Sequence, residues 1–386
     1  MSTHVHSADL LVRAGRVLCR IADLDGPGAV AVRQGRIVAA GPDVDVPART
    51  VIDLGPDALL VPGFVDMHAH PDRRTGADGS RYGVDPDLEL LPRGTTTMLS
   101  QGDAGSSDWQ AYKSKTIGLA RARILVAMNL GRFGEQGDRP ALSDPAAVDV
   151  ERVTRCIARD GGRIWGIAVN TSRAVTGDAD PRAILDAAIE AASAVDVPLL
   201  FGSRREADVS LDEQLALLRP GDVVTYCFSG SPENILDDAT GEVRASVRDA
   251  RERGVLFDIG HGMMSFDWRI ADAAIAQGFP PDTISTDRYR AHTGADPEHD
   301  MPRTISKLLA AGMPEADAFH AGTGQPASLM GIESEVGTLR VGGIGDLCGL
   351  RWVPDGRLAD TAGVARPGGC WEPAFVALAG DVFTGG

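Results

Sequence analysis

Lysine is nearly absent from this 386-residue chain. All but three of its 38 basic residues are arginine, the exceptions being Lys113, Lys115 and Lys307. No stretch approaches the ~18 uninterrupted apolar residues of a spanning helix, which excludes a membrane bundle. The N-terminal segment carries Asp9 and lacks the apolar run of a secretory signal, so a cytoplasmic location is expected. The five cysteines (Cys19, Cys156, Cys227, Cys348 and Cys370) are odd in number, scattered and free of any C-x-x-C pair. A disulfide framework and a structural zinc knuckle are therefore not expected. Bases are also short overall: 54 acidic residues against 38 basic give a net charge of −16. Such a surface repels nucleic acid and anionic lipid, which leaves a small molecule as the expected partner, with self-association left open.

What is present is the composition of an ordinary globular enzyme, with 43% hydrophobic, 24% charged and 5% aromatic residues. The first ~57 residues read as short strands between Gly and Pro turns, and a similar stretch, GTLRVGGIGDLCGLRWV, lies near the far end. Between them run eight strand-like segments: LLVPGFVDM, TTTMLSQG, ARILVAMNL, RIWGIAVN, VPLLFGS, DVVTYCFSG, GVLFDIG and DTISTD. Helix-like stretches separate them, as in DPRAILDAAIEAASAV, where an Asp cap and a Pro precede apolar residues at helical spacing. Eight such units predict an α/β fold, a (β/α)8 barrel over residues 58–325. Residues 1–57 and 326–386 would form one small β-sandwich built from both chain ends. A doubly wound open sheet fits less well, because no Gly-rich phosphate fingerprint follows the first strand.

The strongest chemical signal is Val61-Pro-Gly-Phe-Val-Asp-Met-His68-Ala-His70. An apolar strand ends in histidines at i and i+2, whose side chains point the same way in extended backbone. Two converging imidazoles at a strand's C-terminal end suit zinc; otherwise they are a pair satisfied by local hydrogen bonds. Thr283-Ile-Ser-Thr-Asp287 closes the eighth predicted strand. Its carboxylate could bind metal and move a proton, or simply cap the next helix.

VPGFVDMHAH, with GTTTML, FDIGHGMMSF, GFPPDTISTD, DMPRTISKLLAAGMP and GTLRVGGIGDL, resembles the amidohydrolase superfamily over roughly residues 8–355. The likeness is to its deacetylase-like branch, related to dihydroorotases and adenine-deaminase-like proteins. It implies a barrel with a flanking β-sandwich and hydrolysis of amide or ester bonds in small acylated or cyclic molecules. It also implies roles: His68 and His70 as metal histidines, Asp287 as metal ligand and proton shuttle, and His261 as a substrate contact. Three positions depart from the branch. Ala168 stands where strand four usually offers a carboxylated lysine, Gly202 where strand five offers a histidine, and Tyr226 where strand six offers another. No lysine lies between positions 116 and 306 to rescue the first.

Three protein ligands and an open position remain, the count of a catalytic mononuclear zinc site. The expectation is therefore a hydrolase with one divalent metal, most simply Zn2+, on His68, His70 and Asp287, with Asp287 taking a proton from water and returning it to the leaving group. The alternative is a catalytically dead or repurposed barrel, a non-hydrolytic enzyme or small-molecule binder. Tyr226 could donate to a developing oxyanion. Arg204 or its neighbour Arg205 could grip a substrate carboxylate, and Asp103 is a candidate pocket residue just past strand two.

Overall fold

The structure is a computed structural model describing residues 7–75, 82–135, 141–160 and 162–383. Seven parallel strands follow in chain order: Phe64–Ala69, Thr95–Gln101, Arg123–Asn129, Ile164–Asn170, Leu199–Gly202, Val223–Thr225 and Leu256–Phe257. The eighth segment, 283–288, closes the ring by single bridges on both sides, Thr283 beside Asp258 and Arg288 beside Ala69. This is the expected (β/α)8 barrel. Side chains do much of the joining at the closure. Thr283 and Ser285 donate to Asp258, while Thr286 donates to Asp66 through both its backbone N–H and its hydroxyl. Burial pushes the Asp66 carboxyl up to about 7, against those hydrogen bonds.

The helices obey their sequence signals. Helix Pro181–Ala194 begins at Asp180, whose carboxylate accepts the Arg182 N–H, and helix Met301–Ala310 begins likewise at Asp300. One face of the barrel strands packs on these helices: Met98, Val126, Ile167, Phe201 and Phe257 share a cluster with Leu185, Ala188, Ile270 and Ile305. The other face gathers Val65, Met67, Leu99, Ala127, Ala168, Leu200 and Val223, with Ala327 and Met330 of the segment around helix Gly324–Leu329. Each large apolar side chain so enclosed contributes about 1.5–3 kcal/mol relative to exposure.

Both chain ends build the second layer. Strands run in the order 381–383, 370–378, 347–353, 59–62, 8–19, 24–33 and 36–41, and strand Ala48–Asp53 pairs beside the first half of Ala8–Cys19. Leu10, Val12 and Val30 meet Leu60, Leu347 and Phe375 in one apolar cluster. The run LLVPGFVDM is not one strand: it changes sheet at Gly63, with Leu59–Pro62 in the outer sheet and Phe64–Ala69 in the barrel. Among the described residues, no helix is long and apolar enough to cross a membrane.

Candidate active site

The strand-one histidines converge on the end of strand eight, as their spacing predicts. His68 Nε2 lies 3.3 Å and His70 Nε2 3.1 Å from Asp287 Oδ1. Ligand atoms of the three residues all fall within 4.8 Å of one another, and all three residues are buried. Each imidazole is oriented from behind. His70 Nδ1 donates to Asp103 Oδ1 at 2.8 Å, and Asp103 Oδ2 accepts the Ser100 hydroxyl at 2.6 Å. His68 Nδ1 meets Thr225 Oγ1 at 2.8 Å, and that hydroxyl donates onward to Asp258 at 2.8 Å. With the Thr225 proton committed to Asp258, His68 Nδ1 is the donor. With each Nδ1 engaged behind it, Nε2 is the ring atom that both histidines turn toward the Asp287 carboxylate, the arrangement that orients metal-binding histidines.

The electrostatics favour a cation at the centre of this triangle. Burial alone would raise the Asp287 carboxyl, yet the imidazoles of His68 and His70 hold it well below the usual range. Burial opposes charge on His70, but Asp103 and Asp287 outweigh it and push the imidazole well above its ordinary value. A spot that stabilises a positive charge between two carboxylates is one a divalent ion fits. Asp287 (φ 49°) and Tyr226 (φ 68°) both adopt left-handed backbone without being glycine, strain that clusters at functional sites.

The other wall differs. Tyr226 directly follows strand six, and its hydroxyl reaches to 3.5 Å from His68 Nε2. Its ring occupies the space beside Gly202, where an added Cβ would stand 2.9 Å from Tyr226 Cε2 and 2.8 Å from Asn170 Cγ. The Arg205 guanidinium covers the Tyr226 ring at 4.6 Å and donates to Ser265 Oγ at 2.8 Å. Tyr82 and Tyr289 stack on each other at 5.1 Å and set their ring planes nearly perpendicular to His70.

Three further candidates from the sequence have their polar atoms engaged by the protein itself. Asp103, expected at the substrate pocket, is fully buried behind His70 with both oxygens engaged, a placement that orients the histidine. Arg204 is turned away: it pairs with Asp208 and donates to Thr171 O and Thr176 Oγ1. It lines a separate cavity of about 240 Å³ between helices Pro181–Ala194 and Leu211–Leu217. His261 has both ring nitrogens occupied, Nδ1 by Gly262 O and Nε2 by Lys307 Nζ, each at 2.8 Å. Next to it, Gly262 packs against the Asp287 carboxylate, with which any added Cβ would collide.

Sequence reasoning also missed residues. Glu135 lies within the field of His68, His70, Asp103 and Asp287. Burial chiefly, with the two carboxylates adding and the imidazoles opposing, pushes it up to about 6. Asn170 closes strand four one inward position beyond Ala168, in a phrase read only for its missing lysine.

No family model matches this chain. It is 33% identical to a deacetylase from Agrobacterium fabrum over 303 residues, covering 78% of this chain and 72% of that protein. A deacetylase from Brucella anthropi is 31% identical over 91% of this chain and 86% of its own length. This chain belongs to the amidohydrolase superfamily. Solved amidohydrolase relatives superpose closely: an adenine deaminase at TM-score 0.86 and 27% identity, covering 98% of this chain and all 100% of that one, and a dihydroorotase at TM-score 0.85 and 28% identity, covering 98% and 99%. Within that superfamily the chain is a hydrolytic enzyme of the amidohydrolase fold.

Proposed function

We propose that this amidohydrolase cleaves an amide or ester bond of a small acylated or cyclic substrate, using one divalent metal ion held by His68, His70 and Asp287. The observation that carries this reading is the convergence of three ligand atoms within 4.8 Å, with each imidazole's Nδ1 already engaged elsewhere. Two nitrogens and a carboxylate oxygen suit zinc and leave a coordination position open. Bound there, such an ion supplies a Lewis acid that polarises a carbonyl and lets water ionise near neutral pH.

This chain's own residues would do the rest. Asp287, held ionised by its imidazole neighbours, accepts the proton of the attacking water and returns it to the leaving group. Tyr226 donates its O–H to the oxygen on which charge develops. At Ala168, Gly202 and Tyr226, where the family resemblance implies further ligands, this chain has a methyl group, no side chain and a buried phenol, which supports a single ion. Arg205 has no carboxylate partner among the described residues and overlies Tyr226. A guanidinium so placed favours a substrate carrying a carboxylate, which it can grip through paired N–H donors.

Metal analysis of the purified protein, with a panel of N-acetyl amino acids, O-acetyl hydroxy acids, neutral acetyl esters and cyclic amides, tests the proposal. One metal per chain and turnover of an acyl compound are expected. Arg205→Ala should raise KM about tenfold for carboxylate-bearing members, one charge-assisted pair's worth, and leave neutral esters unchanged. A protein that takes up no zinc and leaves the whole panel intact would be the repurposed binder instead.

A further inference from the structure

We infer that Asn170 is a positioning residue that fixes the direction of the Tyr226 proton, so that the two together form a donor pair on the wall opposite the metal ligands. The inference rests on the hydrolytic reading above and deepens it with a residue to which nothing in the family resemblance assigns a role.

The argument is one of hydrogen-bond polarity. Asn170 Oδ1 accepts the Ser172 backbone N–H at 3.0 Å. That bond settles which end of the amide faces which way, because a backbone N–H can be met only by the oxygen. The NH2 group is therefore turned toward Tyr226, and donates to the phenol oxygen at 3.4 Å. A phenol oxygen that accepts from an amide has its own proton left to give. The other hydrogen-bond partner within reach of that oxygen is His68 Nε2, at 3.5 Å. The Tyr226 proton is thus directed into the His68–His70–Asp287 triangle. Both distances are long, as is common before substrate draws a site together.

The surroundings hold the pair in register. Asn170 and Tyr226 are both buried, and both crowd the space over Gly202, so no Cβ could be added there without moving them. Arg205 covers the ring. An amide donating into the phenol oxygen also favours negative charge there, which makes the Tyr226 O–H a better donor to a developing oxyanion.

The test compares Asn170→Asp, Asn170→Ala and Tyr226→Phe in zinc-loaded protein. Two readouts are used: hydrolysis of p-nitrophenyl acetate and calorimetric binding of methylphosphonate, a tetrahedral oxyanion probe. Aspartate keeps the shape but can only accept, so the Tyr226 proton turns toward residue 170 and away from the site. Asn170→Asp should lower kcat about as much as Tyr226→Phe, roughly 100-fold, with KM little changed. Methylphosphonate binding should weaken in parallel, and Asn170→Ala should show a smaller loss of both. In the Tyr226→Phe background, Asn170→Asp should add nothing further. Metal content is followed throughout; if the new carboxylate takes up a second ion, Asn170→Ala alone decides. Active parent protein with unchanged kcat and probe binding in the Asn170 variants, or full additivity with Tyr226→Phe, would overturn the inference and leave the hydrolytic reading intact. A parent that binds no metal and hydrolyses nothing would overturn both.

Discussion

The two walls of the barrel mouth are built on opposite plans. On one, strands one and eight present His68, His70 and Asp287, each backed by buried polar groups: Asp103 and Ser100 behind His70, Thr225 and Asp258 behind His68. On the other, strands four to six present Ala168, Asn170, Gly202 and Tyr226, with an aromatic ring and an amide filling the space. The first wall gathers a cluster that could hold a cation, and the hydrogen bonds of its histidines run outward into the barrel frame. The second offers hydrogen-bond donors and points them inward. The side without metal-ligating residues is a closely packed polar wall, not an empty half-pocket.

Breaking the first wall should have the largest effect. His68→Ala and Asp287→Asn should each abolish stoichiometric zinc binding and lower turnover by at least 1000-fold, since two protein ligands rarely suffice for catalytic zinc. Thermal unfolding should show the barrel intact, because rim residues at the C-terminal ends of barrel strands contribute little to its core. Retained metal and activity with lost stability would make the triad structural. Breaking the second wall should be milder: Tyr226→Phe should cost about 2.7–4 kcal/mol of transition-state stabilisation, 100- to 1000-fold in kcat, with zinc content unchanged. A drop in zinc content would move Tyr226 to the metal-holding side. Asp103→Asn probes the layer behind the first wall, and should weaken zinc affinity 10- to 100-fold as such carboxylate partners do, measured by competition with a chelator.

The smallest effect lies just outside both walls. Lys307 is buried against His261 and Phe266, and loss of hydration, with Arg303 nearby, lowers its amine to about 7. An unfolded lysine titrates near 10.4, so between about pH 7 and 10.4 the unfolded chain binds a proton that the folded chain does not. Stability should therefore rise with pH across that window, the burden of the buried charge being fully present below pH 7. Lys307→Met should flatten that rise by a few degrees of Tm between pH 7 and 9.5, whatever constant offset follows from the lost His261 contact. An unchanged slope would show that Lys307 stays charged in the folded protein.

The barrel was legible because each strand is a compact apolar run and the helices between them carry their own caps. What escaped the sequence were changes of direction. Nothing in the hydrophobicity of residues 59–67 marks the passage from outer sheet to barrel at Gly63. Strand five ends at Gly202, so period-two alternation no longer decides whether Arg204 or Arg205 faces the pocket; the structure turns Arg205 inward. Strand six ends at Thr225, and the left-handed Tyr226 breaks the alternation there. The H-x-H pair was readable because two ligands share one strand, whereas Asn170 acquires its role only from a partner 56 positions away.

The outer sheet has a consequence for the order in which this protein can be completed. Leu59–Pro62, the segment leading directly into the histidine-bearing strand, is flanked by residues 16–17 on one side and by strand Leu347–Val353 on the other. A ribosome must therefore have delivered the chain past Leu347 before that lead-in gains its second neighbour. Until then the young barrel carries an open, apolar flank, a state in which growing chains invite capture by chaperones or by one another. Strand Asp381–Phe383 is paired on Cys370–Leu378, which in turn covers Leu347–Val353. Loss of Leu347–Val353 would thus be felt at the root of the strand that carries His68 and His70.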